Sequence, residues 1–509
     1  MDEQAGPVRY GAWSADRQGW FLGLSGPAWI LIIGAGSPLL FAVASRDWRW
    51  VAGWLPVWAA VIAAVALPVR GRTAARWLLD AAVRGFGVAM GWTDWQSRAA
   101  AGTVTDPGEA DLPGVLSGIV TFDGPPYGPL LARPVIIADN RARTWAVVAR
   151  LAHPGIALAQ AGDRARMAAG LSELLEAAAT AGLVSLVAVQ VRTIPDDGAE
   201  RAAWLSQNLA SDAPESALAV TEDLGQVMQA AGVRHEAFVT VVVPEHRIAR
   251  QAREAGGGVD GRARVLHGVM GQIEAALYGP VGATAVTWLD APGLAAAIRT
   301  GFAPGERAGL VAAEIASRGD PGVVALPMAA AGPTRTPPPG GRCYVHDAWA
   351  TATCTILLPD KGALMGALAP VLAPSTAGER RCLTAFFEPI GHARAAKIVG
   401  GQAMTSDLAA DLRRRSGFAE RAAHRRAAAR VAGQDERLAD GSALIRVAAA
   451  AAVTVPAEWS ISDYGRRLEA SITGSGFTPL RLDLAQDTGF AAACIPLGVG
   501  LPARRGIGG

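Results

Sequence analysis

Lysine is nearly missing from this chain. Of its 47 basic residues, Lys361 and Lys397 are the only lysines. A phosphate-binding P-loop needs a lysine inside G-x-x-x-x-G-K-[ST], because that ammonium must reach the β- and γ-phosphates. Lys361 stands in Pro-Asp-Lys-Gly and Lys397 in Ala-Ala-Lys-Ile, so neither follows a glycine loop and neither precedes Ser or Thr. A Walker-type ATPase is thereby excluded. The arginine bias, with abundant Ala and Gly, reads first as the coding habit of a high-GC genome. Cysteine is scarce too. Cys343, Cys354, Cys382 and Cys494 among 509 residues make no disulfide framework and fit a reducing compartment. Charged residues are 18% and the net charge is +2, which makes no case for specific nucleic-acid binding.

Other chemistry fails at particular positions. His235-Glu236 opens an H-E-x-x-H zinc site, but Val239 stands where the second histidine belongs. Cys343 and His346 have C-x-x-H spacing, with Cys354 and Cys382 downstream. Cys354, however, alternates with Ile356 and Leu358 and reads as a small buried hydrophobe, as does Cys494 in Phe-Ala-Ala-Ala-Cys-Ile-Pro. Residues 256–261 satisfy G-x-G-x-x-G, yet the dinucleotide fingerprint follows a strand and 246–255 reads as helix, so a loop between helices is expected. No G-x-S-x-G elbow occurs. No catalytic, cofactor-binding or metal-ligating residue is assigned, and no cofactor is expected. For an anchored enzyme of unknown reaction, candidates such as His346, Asp347 and Asp360 lie near one strand, but nothing specifies a reaction.

What the chain does have is two long apolar runs. Residues 18–45 and 50–69 carry no charge, and each holds the roughly 20 apolar residues that cross a bilayer. Spans are expected at about 27–45 and 50–69, joined by Arg46-Asp47-Trp48-Arg49 in an antiparallel hairpin, with Pro38 and Pro56 tolerated inside them. A signal peptide would explain only one run, and Asp2 and Glu3 make a poor n-region. Ten of the 15 tryptophans lie in the first hundred residues. Trp20, Trp48, Trp50 and Trp77 fall where interfacial belts form. Arg9 and Arg17 before the hairpin, and Arg70, Arg72, Arg76 and Arg84 after it, outnumber the two arginines of the connection. The expected orientation puts both termini and the body in the cytoplasm. Arg72, Arg76, Asp80 and Arg84 recur every fourth residue, so 71–90 reads as a helix at the lipid surface with its arginines near headgroups, or as an ordinary amphipathic core helix.

The body then alternates strand and helix, which predicts an α/β or α+β fold. Strands are expected at 144–152, 183–192, 237–243, 283–289, 346–358, 381–388, 444–455 and 479–484. Helices are expected at 163–182, 216–231, 262–278 and 406–439. The arginine cluster from Arg413 to Arg430 is diluted by acids and reads as a solvated helix face. Thr334–Gly341, rich in Pro and Gly, reads as a linker. The expected organisation is a cytoplasmic N-terminal segment (1–26), a transmembrane hairpin (27–69), a juxtamembrane helix and linker (70–111), a first cytoplasmic domain (112–330), a Pro-rich linker (331–342) and a second domain (343–509). No internal repeat is evident.

The layout resembles a family of two-helix membrane proteins of high-GC Gram-positive bacteria encoded with conjugation-type (type IV) secretion components. Tyr10-Gly11, both spans and Leu112-Pro113-Gly114-Val115 are similar to PrgI-type hairpin proteins. The remainder resembles the non-ATPase N-terminal half of the conjugation ATPase. The similarity lies at residues 143–149, at Phe387-Glu388-Pro389-Ile390 with 393–399, and at Val453-Thr454-Val455 running to 491–496. The resemblance implies a non-enzymatic structural component that docks a partner ATPase or channel subunit at the inner face of the membrane. The lipid bilayer and other membrane subunits would be further partners, and the chain could form a homo-oligomer. A membrane component of a type VII secretion system has the same outline.

Overall fold

The computed structural model describes residues 9–10, 26–69, 72–104, 106–156, 159–195, 197–231, 233–320, 325–359, 361–401, 404 and 422–500. They fall into two compact units, one centred on 94–397 and 436–501, the other on 13–93 and 398–435.

In the second unit, helices α1 (Gly26–Ala44) and α2 (Trp48–Ala66) pack side by side. Asp47 caps α2, accepting from the backbone N–H of Arg49 at 3.3 Å. Pro38 cannot donate to the carbonyl of Gly34, and the Ser37 hydroxyl takes that carbonyl instead at 2.8 Å. The indoles of α2 reach across: Trp54 Nε1 donates to Ala35 O at 2.7 Å and Trp58 Nε1 to Ile32 O at 2.9 Å. Gly36 makes room, since a Cβ there would sit 2.8 Å from Trp58 Nε1. Of the pair, α2 is long and apolar enough to cross a membrane, and α1 contributes a shorter apolar stretch, Trp29–Ala44. A tight reversal, in which Pro68–Val69 pairs with Arg72–Thr73, leads to α3 (Ala74–Ala89), capped by Thr73.

The first unit is built on an eleven-stranded sheet: β1 (Ile119–Asp123), β2 (Val135–Asp139), β3 (Thr144–Ala152), β4 (Leu186–Pro195), β5 (Val233–Pro244), β6 (Ala285–Trp288), β7 (Tyr344–His346), β8 (Trp349–Leu357), β9 (Arg380–Ile390), β10 (Leu444–Pro456) and β11 (Thr478–Arg481). Its order is β7-β8-β10-β9-β4-β5-β3-β2-β1, with β11 also on the edge of β8 and β6 also on that of β3. Every ladder is antiparallel, so the body is α+β. Its helices are α4 (Ala161–Ala181), α5 (Ala199–Asn208), α6 (Glu215–Ala231), α7 (Glu245–Glu254), α8 (Gly258–Tyr278), α9 (Ala291–Phe302), α10 (Arg307–Gly319), the first part of α11 (392–401), α13 (Ile461–Gly474) and α14 (Gln486–Cys494), while most of α12 (Ala422–Ala439) is assigned to the other unit.

This topology is a repeat that the sequence does not announce. β2-β3, β4, β5, β6 and α9 recur in the same order as β7-β8, β9, β10, β11 and α14. In each half the order across the sheet is hairpin, then the third long strand, then the second. β5 and β10 both end at a Val-x-Val-Pro, at Pro244 and Pro456. If those prolines are matched, the ladder registers match β4 with β9 so that Gln190 corresponds to Thr384. Gln190 and Thr384 are in fact paired across the β4–β9 seam. The two halves are therefore related by a pseudo-twofold axis through that pair.

The two faces are covered differently. On one face α9 and α14 lie over a continuous core that includes Ala146, Val148, Cys382, Phe386, Ala450 and Ala452. On the other, α4 and α8 cover the first half and α13 the second, as separate clusters. Because the first core draws on both halves, the Pro-rich stretch at 331–342 does not divide two domains with separate cores. A linker expectation assumes that proline and glycine mark flexibility, but here Arg335–Thr336 pairs with Trp95–Gln96 and is held in place. One expected strand is also a hairpin: His346 ends β7, Asp347 adopts φ 50, and β8 starts at Trp349. Of the expected helix at 406–439, residues 406–421 lie outside the described residues; α12 covers the rest.

Candidate interaction surfaces and a buried arginine node

Around the pseudo-twofold axis the sheet carries a buried polar node. The C-termini of α9 and α14 leave carbonyls without intrahelical donors. Arg380 Nη1 donates to Thr300 O at 2.6 Å, while Gln190 Nε2 and Thr384 Oγ1 both donate to Ala493 O, at 2.7 and 2.9 Å. Arg192 reaches Ala297 O at 2.8 Å and Cys494 O at 3.5 Å, and its guanidinium lies over the Phe238 ring. Cations at helix C-termini also complement the macrodipole. Arg192 pairs with Glu236 at 2.8 Å, and Arg307 holds Asp197, Glu200 and, at 3.8 Å, Glu236. Arg299 bonds Glu306, the Gly332 carbonyl and Asp347.

Electrostatics follow from this burial. Desolvation works to raise the Glu236 carboxyl, but Arg192, Arg150 and Arg307 outweigh it and hold its pKa below the ordinary value. Burial, with Arg380 and Arg299 nearby, pushes His346 down to about 3. Burial works to raise the Cys382 thiol, but a hydrogen bond from Cys494 and the charges of Arg380 and Arg192 bring it below its usual value. Burial and Cys382 push Cys494 up.

The node is closely packed and buried. His346 is fully buried, 2.8 Å from Thr351 Oγ1 and against the Phe302, Tyr344 and Phe490 rings. Asp347 instead caps the backbone N–H of Thr334 and Arg335. Asp360 lies outside the described residues. The two described candidates, His346 and Asp347, therefore do not line a common pocket. Cys354 is buried on β8, and among the described residues no three His, Cys, Asp or Glu side chains are placed to hold a metal ion. The Gly256–Gly258 stretch has positive φ throughout and joins α7 to α8. Gly261 then allows the crossing, since a Cβ there would collide with Ala252 O.

The expected interface residues are only partly in view. Trp20 and Arg70, and the side chain of Arg72, lie outside the described residues. Trp48 and Trp50 are exposed at the start of α2. Arg76 ion-pairs with Asp80 at 3.0 Å. Trp77 and Arg84 are half-buried, so Arg84 does not extend freely outward as the fourfold spacing had implied.

Sequence reading missed the apolar surface of α6. Ala217, Val220, Leu224 and Val227 have 3-4-3 spacing, a short a/d seam. Val220 and Val227 are each 66% exposed and Leu224 is 52% exposed. The helix is held beside this seam, where Arg201 Nη2 donates to Thr221 O at 2.5 Å and its guanidinium fills the space beside Gly225. Trp204 of α5 and Leu209 just beyond it are also exposed. The 3-4 spacing was legible, but its direction was not. No protein-family model matches the chain, and no curated protein matches it either.

Proposed function

We propose that this chain is a non-enzymatic, membrane-anchored scaffold of a conjugation-type secretion apparatus. In this reading α1 and α2 both cross the bilayer, the termini and body lie on the cytoplasmic side, and α6 docks a motor ATPase or channel subunit. The observation that carries it is the exposed seam of Val220, Leu224 and Val227 on a helix with little packing of its own. An isolated helix of 17 residues is marginal in water, and large apolar side chains left in water mark a partner surface. The outward apolar side chains of α1 and α2, among them Ile30, Ile33, Leu40, Phe41 and Leu55, supply the anchor.

The test is a detergent pull-down from native membranes, with partners identified by mass spectrometry, for the wild type and for Leu224→Glu/Val227→Glu. Recovery of a conjugation-type ATPase by the wild type, and its loss from a variant still in the membrane fraction, supports the proposal. Recovery of type VII components transfers the scaffold to that machine. Equal recovery by the variant removes α6 from the interface, and a wild type without partners overturns the scaffold reading.

A further inference from the structure

In a helix facing water, apolar residues point inward and charges outward. Helix α3 is inside out. Leu78, Leu79, Val83, Phe86 and Met90 are 54–63% exposed, while Trp77, Asp80 and Arg84 are half-buried and Gly87 is buried. Leu79, Val83, Phe86 and Met90 follow i, i+4, i+7 and i+11, with Leu78, Ala82 and Ala89 beside them. From Leu78 to Met90 that face carries no charge; Arg76, one turn before Leu79, is exposed at its N-terminal end. Beyond its end, Trp92 is 71% exposed and meets Phe86 edge to face.

We propose that α3 is a third lipid-facing helix, lying in the plane of the membrane with Leu79, Val83, Phe86 and Met90 among the acyl chains. The inference rests on the anchoring reading of α1 and α2 and assigns α3 a lipid ligand of its own. Three observations select lipid over a protein partner. First, α3 follows α2 after seven residues and belongs to the same unit, whose helices α1 and α2 also turn large apolar side chains outward. Second, its exposed residues from Leu78 to Met90 are all uncharged, and the exposed charge of Arg76 stands at the N-terminal end of the helix, paired with Asp80. Third, a tryptophan stands at its end, where an amphipathic ring sits at headgroup level. Length decides its attitude. Sixteen residues at about 1.5 Å each span about 24 Å, short of the roughly 30 Å hydrocarbon core, so α3 lies along the surface. The attachment is apolar, whereas the fourfold arginine spacing had pointed to headgroup charge. It therefore needs no anionic lipid and persists in high salt.

The test uses the full chain in phosphatidylcholine vesicles. Cys343→Ser removes the one cysteine that is not buried, and single cysteines at Phe41, Leu79, Val83, Arg84 or Arg250 carry an environment-sensitive fluorophore. Quenching by doxyl-labelled lipid is compared with quenching by aqueous iodide. The expected result is lipid quenching at 41, 79 and 83, weak lipid quenching at 84, and iodide quenching alone at 250. The 79 and 83 probes should lose about half their signal or more to lipid quencher, unchanged in 1 M salt. Iodide access without lipid quenching at 79 and 83, with 41 still lipid-quenched, overturns the inference and leaves the anchor standing. Iodide access at 41 as well overturns the anchor itself. Lipid quenching at 79 and 83 that salt abolishes replaces apolar insertion with electrostatic adsorption.

Discussion

Arg192 is where a single substitution should reveal how the buried node is held together. Its side chain is 1% exposed, and it binds Glu236, Thr300 Oγ1 and the carbonyls of Ala297 and Cys494. Arg192→Met keeps bulk and removes the charge. Glu236, only 11% exposed, then retains Arg307 at 3.8 Å as its nearest cation, and Cys494 O loses its donor. Removing one partner of a buried pair costs about 3–5 kcal/mol, and the residual contact to Arg307 puts the expected loss near the lower end, about 3 kcal/mol. Arg192→Met/Glu236→Gln removes the stranded charge as well, so the double variant should recover about 1.5 kcal/mol or more relative to the sum of the single losses. Native-state hydrogen exchange read by mass spectrometry on peptides of β4 and β5 measures both quantities in the detergent-solubilised chain. A loss below about 1 kcal/mol for Arg192→Met, or strict additivity in the double variant, would refute the view that the pair is a coupled, buried joint.

Three further outcomes are expected. His346 is neutral in the folded chain down to about pH 3, whereas its ordinary pKa is 6.5, so only the unfolded chain takes up its proton in between. Stability is therefore present in full above pH 6.5 and falls as pH drops, by about 2 kcal/mol between pH 7 and 5. His346→Gln should flatten this slope in the same exchange experiment, and an unchanged slope would assign it to other groups. Below that range the depressed Glu236 adds a loss of the same sign. On helix α8, Gly261→Ala should destabilise by about 2 kcal/mol or more because its methyl meets a backbone carbonyl, whereas Gly268→Ala, in open space, should be neutral or stabilising by about 0.5–1 kcal/mol. Equal effects in thermal denaturation would contradict the close crossing of α7 and α8. Finally, an aromatic disulfide reagent should titrate Cys343 in the native chain, and Cys354, Cys382 and Cys494 only after denaturation; rapid reaction of Cys382 or Cys494 would mean that the node opens.

Much of the secondary structure was legible. Thr144–Ala152 and Leu444–Pro456 are strands near the expected bounds because their β-branched and alanine runs are closed by turn residues or proline. The helix expected at 163–182 ends at Gly182, which adopts φ 70, as a left-handed cap requires. Other elements were hidden. Strands β1 and β2 are short, and α14 reads as a featureless Ala-rich run because a helix buried on most sides has no amphipathic period. The repeat escaped notice because buried strand faces ask only for small or β-branched residues. Val241-Val242-Val243-Pro244 and Val453-Thr454-Val455-Pro456 are its clearest shared trace.

The sequence by itself determined the apolar N-terminal runs, the exclusion of a Walker ATPase and the places where strands and helices begin. Each of these depends on composition or on neighbours within a few residues. Tertiary structure alone decided that one antiparallel sheet spans both sides of the Pro-rich stretch and that a pseudo-twofold axis brings Gln190 beside Thr384. It also decided that Arg192 and Arg380 are buried at helix C-termini, and that the apolar sides of α3 and α6 face outward. Those outcomes depend on which distant segments meet. An i, i+4 spacing states that a helix has an apolar side, and only packing decides whether that side faces the core or the surroundings.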